Sequence, residues 1–308
     1  MRNSLKLTTI AVLVMSLSAC AVGPDYRAPA KVADININSP YQQAALAQSW
    51  WQAFDDESLN RLIQRALNEN RTLAQARANV DRAYAVFQDV DNDILPKGTL
   101  DAGYQASENA MLQPNNDNVI TRSYSTGANL SWDLDLFGKL RRAAEAAEAQ
   151  AQQADILWRD AQVQLISQVA ISYGEYRGAQ LRLDVSKQNL QNLQQSRDIV
   201  MARLEAGMAS ELELTQIDVQ LHQVNASIPA YRVALLTADA TLSALLAQRP
   251  GQLDLDDVPR LPQLKQPVAV VEGENYLRYR ADVASSERLL AARTAEIGVA
   301  TADLYPNV

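Results

Sequence analysis

Few residues in this chain have the type and spacing that catalysis or metal binding requires. The 308 residues include one histidine and one cysteine, too few to form the ligand cluster of a zinc site. His222 lies beside Leu221 on a predicted helix and is interpreted as a residue on its flank. Asp133 and Asp135 lie two residues apart, so on a strand their carboxylates would share one face and could be mistaken for an acid–base pair. No glycine-rich phosphate loop follows a strand.

The two aspartates belong to the second of two segments that alternate apolar and polar residues, 98–107 and 123–136. Period-two alternation separates the faces of a pleated strand, so one face suits lipid and the other suits water. The apolar face carries Leu100, Ala102, Tyr104, Ala106, Tyr124, Thr126, Ala128, Leu130, Trp132, Leu134 and Leu136. This pattern is typical of transmembrane β-strands, and taken alone it fits a half-buried hairpin of a soluble sheet equally well.

As membrane strands, these segments predict roles for particular side chains. Asp133 and Asp135 fall on the polar face, where solvated acids line a lumen that tolerates cations. Tyr104, Tyr124 and Trp132 fall on the apolar face, where aromatic residues form girdles at the lipid interface. The sequence therefore predicts no catalytic residue, no metal site, no cofactor and no enzyme.

The N-terminus predicts export. Residues 1–19 have a short basic start and an apolar run too short to span a bilayer, which is the pattern of a secretory signal peptide. Leu17-Ser18-Ala19-Cys20 resembles the lipobox of bacterial lipoproteins, in which the cysteine is lipidated and becomes the mature N-terminus. Cys20 is the only cysteine, so an internal disulfide is excluded. Residues 20–49 are predicted to form a lipid-anchored extended tether.

The charge balance excludes one class of partner. The chain has 36 acidic and 28 basic residues and a formal net charge of −8. No run of lysine or arginine interrupts this acidity, so nucleic-acid binding is not predicted.

The remaining segments have helical periodicity. Apolar residues step by three and four through 57–95, and a helical hairpin is predicted over 138–248 with its turn at Gly207. Gly207 suits the left-handed position after a helix, and Ser210 with Glu213 forms a capping box for the next helix. A seam that repeats every seven residues predicts an antiparallel coiled coil.

An internal repeat with a shift of about 210 residues divides the chain. Leu73-Ala74 falls on Val283-Ala284, and Leu95-Pro96 falls on Tyr305-Pro306. Residues 50–260 are thus predicted to be a first repeat and 261–308 the start of a second, incomplete one. Three copies with two strands each supply fewer than the roughly eight strands of the smallest bacterial barrels. We therefore expect a fragment or a truncated gene product.

Several motifs together resemble one family, the TolC-like outer-membrane factors of tripartite efflux pumps, in their lipoprotein branch. The motifs are Leu17-Ser18-Ala19-Cys20, Val22-Gly23-Pro24-Asp25-Tyr26, Trp50-Trp51-Gln52-Ala53-Phe54, Ser131-Trp132-Asp133-Leu134-Asp135-Leu136-Phe137-Gly138 with Arg141-Arg142, Ile297-Gly298-Val299-Ala300 and Tyr305-Pro306. The resemblance implies a mainly α fold with a transmembrane β-hairpin, in which long coiled-coil helices form an α-barrel joined to a β-barrel. About one and a half of the two repeats are expected here.

The resemblance also implies a function and partners. It implies a passive conduit for drugs or small toxic compounds, a homotrimer when complete, placed in the outer membrane with a large periplasmic portion. An inner-membrane pump would supply the conduit through a periplasmic adaptor, which the hairpin tip at Arg203, Gly207, Ser210 and Glu211 would contact. Gating residues of the second repeat's hairpin have no counterpart in this sequence. The alternatives are a periplasmic lipid-anchored coiled-coil adaptor or structural protein, and a non-functional truncated channel.

Overall fold

The computed structural model describes residues 21–28, 49–109, 119–256, 258, 260–264 and 279–307. The predicted signal peptide, the lipidation site Cys20 and most of the predicted tether lie outside the described residues. The described part contains a short 3-10 helix at Trp50–Phe54, five α-helices and two strands. These are α1 (Glu57–Glu69), α2 (Arg71–Asn92), β1 (Lys97–Asn109), β2 (Val119–Ser131), α3 (Lys139–Glu205), α4 (Glu211–Leu245) and α5 (Ala281–Ala302).

The chain divides into two compact units. The first comprises residues up to 30, 80–155 and 284–308, and the second comprises 31–79 and 156–283. Among the described residues of the first unit, small side chains pack closely. Ala149 of α3 contacts Ala291 and Ala292 of α5, with Tyr26 against them.

The second unit has a core of large side chains. Asp56 caps α1 by accepting a hydrogen bond from the backbone N–H of Leu59 at 3.0 Å. Apolar residues at helical spacing then put one face of α1 into the core, which is completed from α3 and α4. The buried residues are Trp51, Leu59, Leu62, Ile63, Ala66, Leu73, Leu165, Ile166, Val169, Tyr173, Leu242 and Leu246.

The helices predicted over 57–95 are two helices with a break at Asn70. The backbone of Asn70 is extended, and its side-chain oxygen accepts from the N–H of Leu73 at 2.9 Å, which caps the start of α2. Helix α2 ends at Asn92 because Pro96 follows, and the residue before a proline avoids the helical region.

The bounds of α5 support the internal repeat. Helix α5 begins 210 residues after the first residue of α2 and ends 210 residues after the last residue of α2. Both helices have 22 residues, as expected of corresponding elements in two copies of one unit. In the described part of the chain, no helix combines the length and the apolar character needed to cross a membrane.

The two strands form an antiparallel hairpin whose register matches the predicted faces. Tyr104 lies opposite Tyr124, Ala102 opposite Thr126, and Leu100 opposite Ala128. Directly opposed residues share a face, so the predicted apolar positions up to Leu130 lie together. Strand β1 runs from Lys97 to Asn109 and β2 starts at Val119, so both extend beyond their predicted bounds toward the turn.

The prediction that the second strand continues to residue 136 is wrong, because β2 ends at Ser131. Beyond it, the indole N–H of Trp132 donates to the carbonyl of Ile94 at 3.0 Å. The carboxylate of Asp135 is engaged by the first turn of α3. The alternation of apolar and acidic residues in the sequence therefore continues beyond Ser131, although residues 132–136 do not pair with β1.

Candidate functional site

The tip of the helical hairpin begins with a Schellman motif at the end of α3. The N–H of Met208 donates to the carbonyl of Arg203 at 2.7 Å, and the N–H of Gly207 donates to that of Leu204 at 2.9 Å. Gly207 has a φ of +72°, the left-handed conformation that the motif requires. The guanidinium of Arg203 also donates to the carbonyl of Met208 at 3.3 Å, so one arginine supports both ends of the turn.

The start of α4 forms the other side of the tip. The N–H of Glu213 donates to Ser210 Oγ at 3.3 Å, and the N–H of Ser210 donates to Glu213 Oε1 at 3.4 Å. The predicted capping box is therefore present. Glu211 and Glu213 place negative charge in the first turn, where the helix dipole favours it.

The tip presents an exposed surface of mixed character. All four residues predicted at the tip are exposed. They are Arg203 near the end of α3, Gly207 and Ser210 in the turn, and Glu211 at the start of α4. Met208 and Leu212 are each 66% exposed beside them. Exposed apolar side chains rimmed by charges are a feature of protein-interaction surfaces.

The β-hairpin exposes its apolar face. Leu100 is 90% exposed, Tyr124 is 78% exposed and Leu130 is 75% exposed. The opposite face pairs small or polar residues, such as Asp101 with Gly127 and Gly103 with Ser125. A contiguous exposed apolar face of this kind marks a site of contact with a membrane or another protein.

The three predicted interface aromatics divide into a pair and a single residue. The rings of Tyr104 and Tyr124 lie opposite each other with centroids 5.0 Å apart. Trp132 lies beyond the end of β2, where its ring is exposed and its N–H is bonded to Ile94. The structure therefore puts Trp132 at the base of the hairpin and not on a strand.

Asp133 and Asp135 are not a pair on a strand face, because both lie after β2. The side chain of Asp135 is 6% exposed and accepts from the backbone N–H groups of Leu140 and Arg141 at 3.0 and 3.1 Å. It also receives the Nε–H of Arg141 at 3.1 Å. Asp135 is thus a helix cap, and its predicted position on a strand is corrected. Asp133 is exposed.

A buried arginine at the start of α3 was not predicted to have a role. The side chain of Arg142 is 6% exposed and binds Asp25 Oδ1 at 2.7 Å and Glu145 Oε2 at 2.8 Å. The hydrogen bonds that Arg142 donates to Asp25 and Glu145 raise its pKa above the usual range. The motifs that contain Gly23, Arg142 and Gly298 are recognisable in the sequence, but their local patterns do not predict that the three segments meet.

A second buried arginine organises the other unit. Arg177 donates through Nε to the hydroxyl of Tyr173 at 3.1 Å and forms an ion pair with Asp256. Tyr173 in turn donates to Asp56 Oδ2 at 2.9 Å. Burial is the main cause that raises the pKa of Tyr173, and the bond from Arg177 lowers the pKa of Asp256. The cluster joins Asp56, the cap of α1, to α3 and to Asp256.

The exposed surfaces of the described residues suit contact with other molecules. Across the described ranges, no group of three or more His, Cys, Asp or Glu side chains is placed to hold a metal ion. In the part of the chain that the structure describes, packing does not explain why the β-hairpin exposes its apolar face or why the helical tip exposes apolar side chains.

Comparison with known proteins shows what this chain is similar to. Residues 62–248 match the family model described as outer membrane efflux protein. The chain is 30% identical over 309 residues to nodulation protein T of Rhizobium leguminosarum bv. viciae, covering 97% of this chain and 62% of that protein. It is 29% identical over 308 residues to the cation efflux system protein CusC of Escherichia coli K12, covering 96% of this chain and 65% of that protein.

Solved structures agree with the sequence matches. The outer-membrane channel OprN superposes with a TM-score of 0.81 at 36% identity, covering 94% of this chain and 66% of that one. A structure of CusC superposes with a TM-score of 0.72 at 30% identity. The predicted fold class is confirmed by these neighbours. The chain spans less than two thirds of the length of the curated relatives it matches.

Proposed function

Because the chain belongs to the outer membrane efflux protein family, a family of channels and not of enzymes, we propose that it is the outer-membrane component of an efflux system. In this role it acts as a passive conduit for drugs or small toxic compounds, without a chemical step. The observation that carries the proposal is the hairpin β1–β2, whose aligned apolar face is open to the surroundings.

The geometry of the hairpin suits insertion into a bilayer. Each strand has 13 residues, and about 9 to 11 tilted residues are enough for a strand to cross the hydrocarbon core. Leu100, Tyr104, Tyr124 and Leu130 would face lipid, and the polar positions opposite would face the lumen. Trp132, at the end of the hairpin, would lie at the lipid interface with its polar N–H already satisfied by protein.

The exposed tip supports the proposal of a periplasmic partner. Arg203, Gly207, Ser210 and Glu211 would contact a periplasmic adaptor, which connects the conduit to an inner-membrane pump. The two caps make the turn rigid, so such a partner would meet a preformed surface at low entropic cost. A complete conduit would be a homotrimer, in which this hairpin and the strands of a complete second repeat together close the barrel.

Membrane extraction tests insertion. We expect a Cys20→Ala variant, which lacks the proposed lipid anchor, to resist carbonate extraction from outer-membrane vesicles. Adding Leu100→Arg and Leu130→Arg should release it, because a cation on the lipid face costs roughly 2 to 4 kcal/mol near the bilayer midplane.

Gln105→Arg with Asn129→Arg is the matched control, since it puts two cations on the other face of the hairpin. This variant should stay in the membrane. Complete release of the Cys20→Ala protein with native strands would contradict insertion and support the lipid-anchored periplasmic adaptor instead.

A further inference from the structure

Residues 21–26 form a strap that lies along the base of the β-hairpin in the first unit. The N–H of Val22 donates to the carbonyl of Phe137 at 3.1 Å. At Gly138, which has a φ of +77°, an added Cβ would meet Ala21 at 2.6 Å. The strap therefore packs directly against the link between β2 and α3, starting at the first residue after Cys20.

Arg142 is the main attachment of the strap. Its Nε donates to the carbonyl of Val22 at 3.3 Å, and its Nη2 donates to Asp25 Oδ1 at 2.7 Å. The other amino group, Nη1, is held by Glu145 at 2.8 Å. A buried guanidinium with this many acceptors is fixed in one orientation.

Two glycines make room for this arginine. At Gly298 of α5, an added Cβ would lie 2.9 Å from the Cγ and Cδ atoms of Arg142. At Gly23, which has a φ of +95°, an added Cβ would lie 2.5 Å from the Cα of Gly298. The strap, α3 and α5 thus approach at a point where no side chain larger than hydrogen fits on Gly23 or Gly298.

Tyr26 is a second attachment. Its hydroxyl donates to Glu287 Oε1 at 3.0 Å, and the guanidinium of Arg288 lies 5.6 Å from its ring centroid. Burial is the main cause that raises the pKa of Tyr26, and the bond to Glu287 acts in the same direction. Both ends of the strap are therefore held by side chains of the helices.

We propose that Arg142 is a positioning residue that fixes the strap at the base of the β-hairpin, and that it thereby limits the reach of a lipid anchor on Cys20. Cys20 is covalently bonded to Ala21, so whatever holds residues 21–26 also limits the reach of an acyl group on Cys20. This second step rests on the proposed membrane function. The attachment of the strap by Arg142 does not, and the two can be tested apart.

Limited trypsin digestion of the Cys20→Ala protein measures the attachment. Arg27 follows the strap directly and is exposed, so cleavage after it reports how often the strap leaves its site. We expect Arg142→Met to increase the rate at which the Ala28 N-terminus appears by at least about tenfold, since the variant loses the charge-assisted hydrogen bonds that hold the strap.

Two further variants separate positioning from folding. The side chain of Asp25 is 77% exposed, so Asp25→Asn weakens the bond to Arg142 without threatening the core and should also speed cleavage. Arg142→Lys keeps the charge and should recover part of the protection. Arg293→Met removes an exposed ion pair with Glu296 on α5 and should leave the rate unchanged.

Each outcome has a distinct meaning. Equal cleavage rates in the native strap, Asp25→Asn and Arg142→Met would overturn the proposal. A faster rate in both variants, together with release of the Cys20→Ala protein from membranes, would support the strap and reject the membrane-inserted hairpin. In outer-membrane vesicles, the acylated protein should show the same ranking of rates.

Discussion

Tyr104 and Tyr124 lie directly opposite each other on the two strands, with ring centroids 5.0 Å apart. This pairing places every other residue of β1 and β2 on a common face. A shift of register by one residue would move all the apolar side chains to the polar side, so the tyrosine pair marks the register that keeps one face apolar.

The cap at Ser210 is expected to stabilise the tip of the helical hairpin. Ser210→Ala removes the oxygen that accepts the N–H of Glu213, so the free energy of unfolding should fall by about 1 kcal/mol. Thermal unfolding followed by circular dichroism measures the change. Ser196→Ala removes a hydroxyl that bonds only to the carbonyl of Asn192 within α3, and should change stability by less than about 0.5 kcal/mol.

The left-handed backbone at Gly207 should make it intolerant of a side chain. Gly207→Ala should destabilise the protein by about 1 to 2 kcal/mol, the cost of a left-handed alanine, since no atom lies within 4 Å of the added Cβ. Gly174→Ala is the matched control, because that site is equally open but helical. It should raise the free energy of unfolding by about 0.4 to 1 kcal/mol. Equal effects of the two changes in denaturant titrations would contradict the role of the backbone.

The hydroxyl of Tyr173 is expected to stabilise the second unit through the two hydrogen bonds that it makes. Tyr173→Phe leaves the buried Arg177 Nε and one oxygen of Asp56 without this partner, so stability should fall by about 1 to 3 kcal/mol. Denaturant titration followed by circular dichroism checks the value. Tyr279→Phe, on a side chain that is 68% exposed, should have no measurable effect.

An exposed ion pair at the start of α5 predicts a specific acid response. Arg280 donates to both carboxylate oxygens of Asp282, and this is the main cause that lowers the pKa of Asp282 from 3.8 to about 2. A folded-state pKa below the unfolded value means that the contribution to stability is present above about pH 4 and is lost as the pH falls toward 2. NMR titration with carbon-labelled aspartate measures the midpoint.

Arg280→Gln should move that midpoint up toward the ordinary value. The shift should stop short of it, because the N–H of Val283 still donates to Asp282. Arg293→Gln, which changes a different ion pair of α5, should leave the midpoint of Asp282 where it is. An unchanged midpoint in Arg280→Gln would mean that the arginine is not the cause.

The sequence alone determined the features whose causes are local. Alternation assigned the faces of both strands, because side chains of a strand point to opposite sides in turn. The left-handed Gly207 and the capping box at Ser210 followed from residue types three or four positions apart. The shift of 210 residues anticipated the bounds of α5 from those of α2.

Tertiary structure decided whatever depends on partners distant in the chain. Strand β2 ends at Ser131, opposite Lys97 where its partner β1 begins, and Asp135 beyond it caps α3, while the alternation in the sequence continues unchanged to residue 136. Arg142 meets Asp25, 117 residues away, and Arg177 meets Asp256, 79 residues away. In the sequence, neither arginine can be told from one that is exposed to solvent. Burial and ion pairing arise only when distant segments fold together.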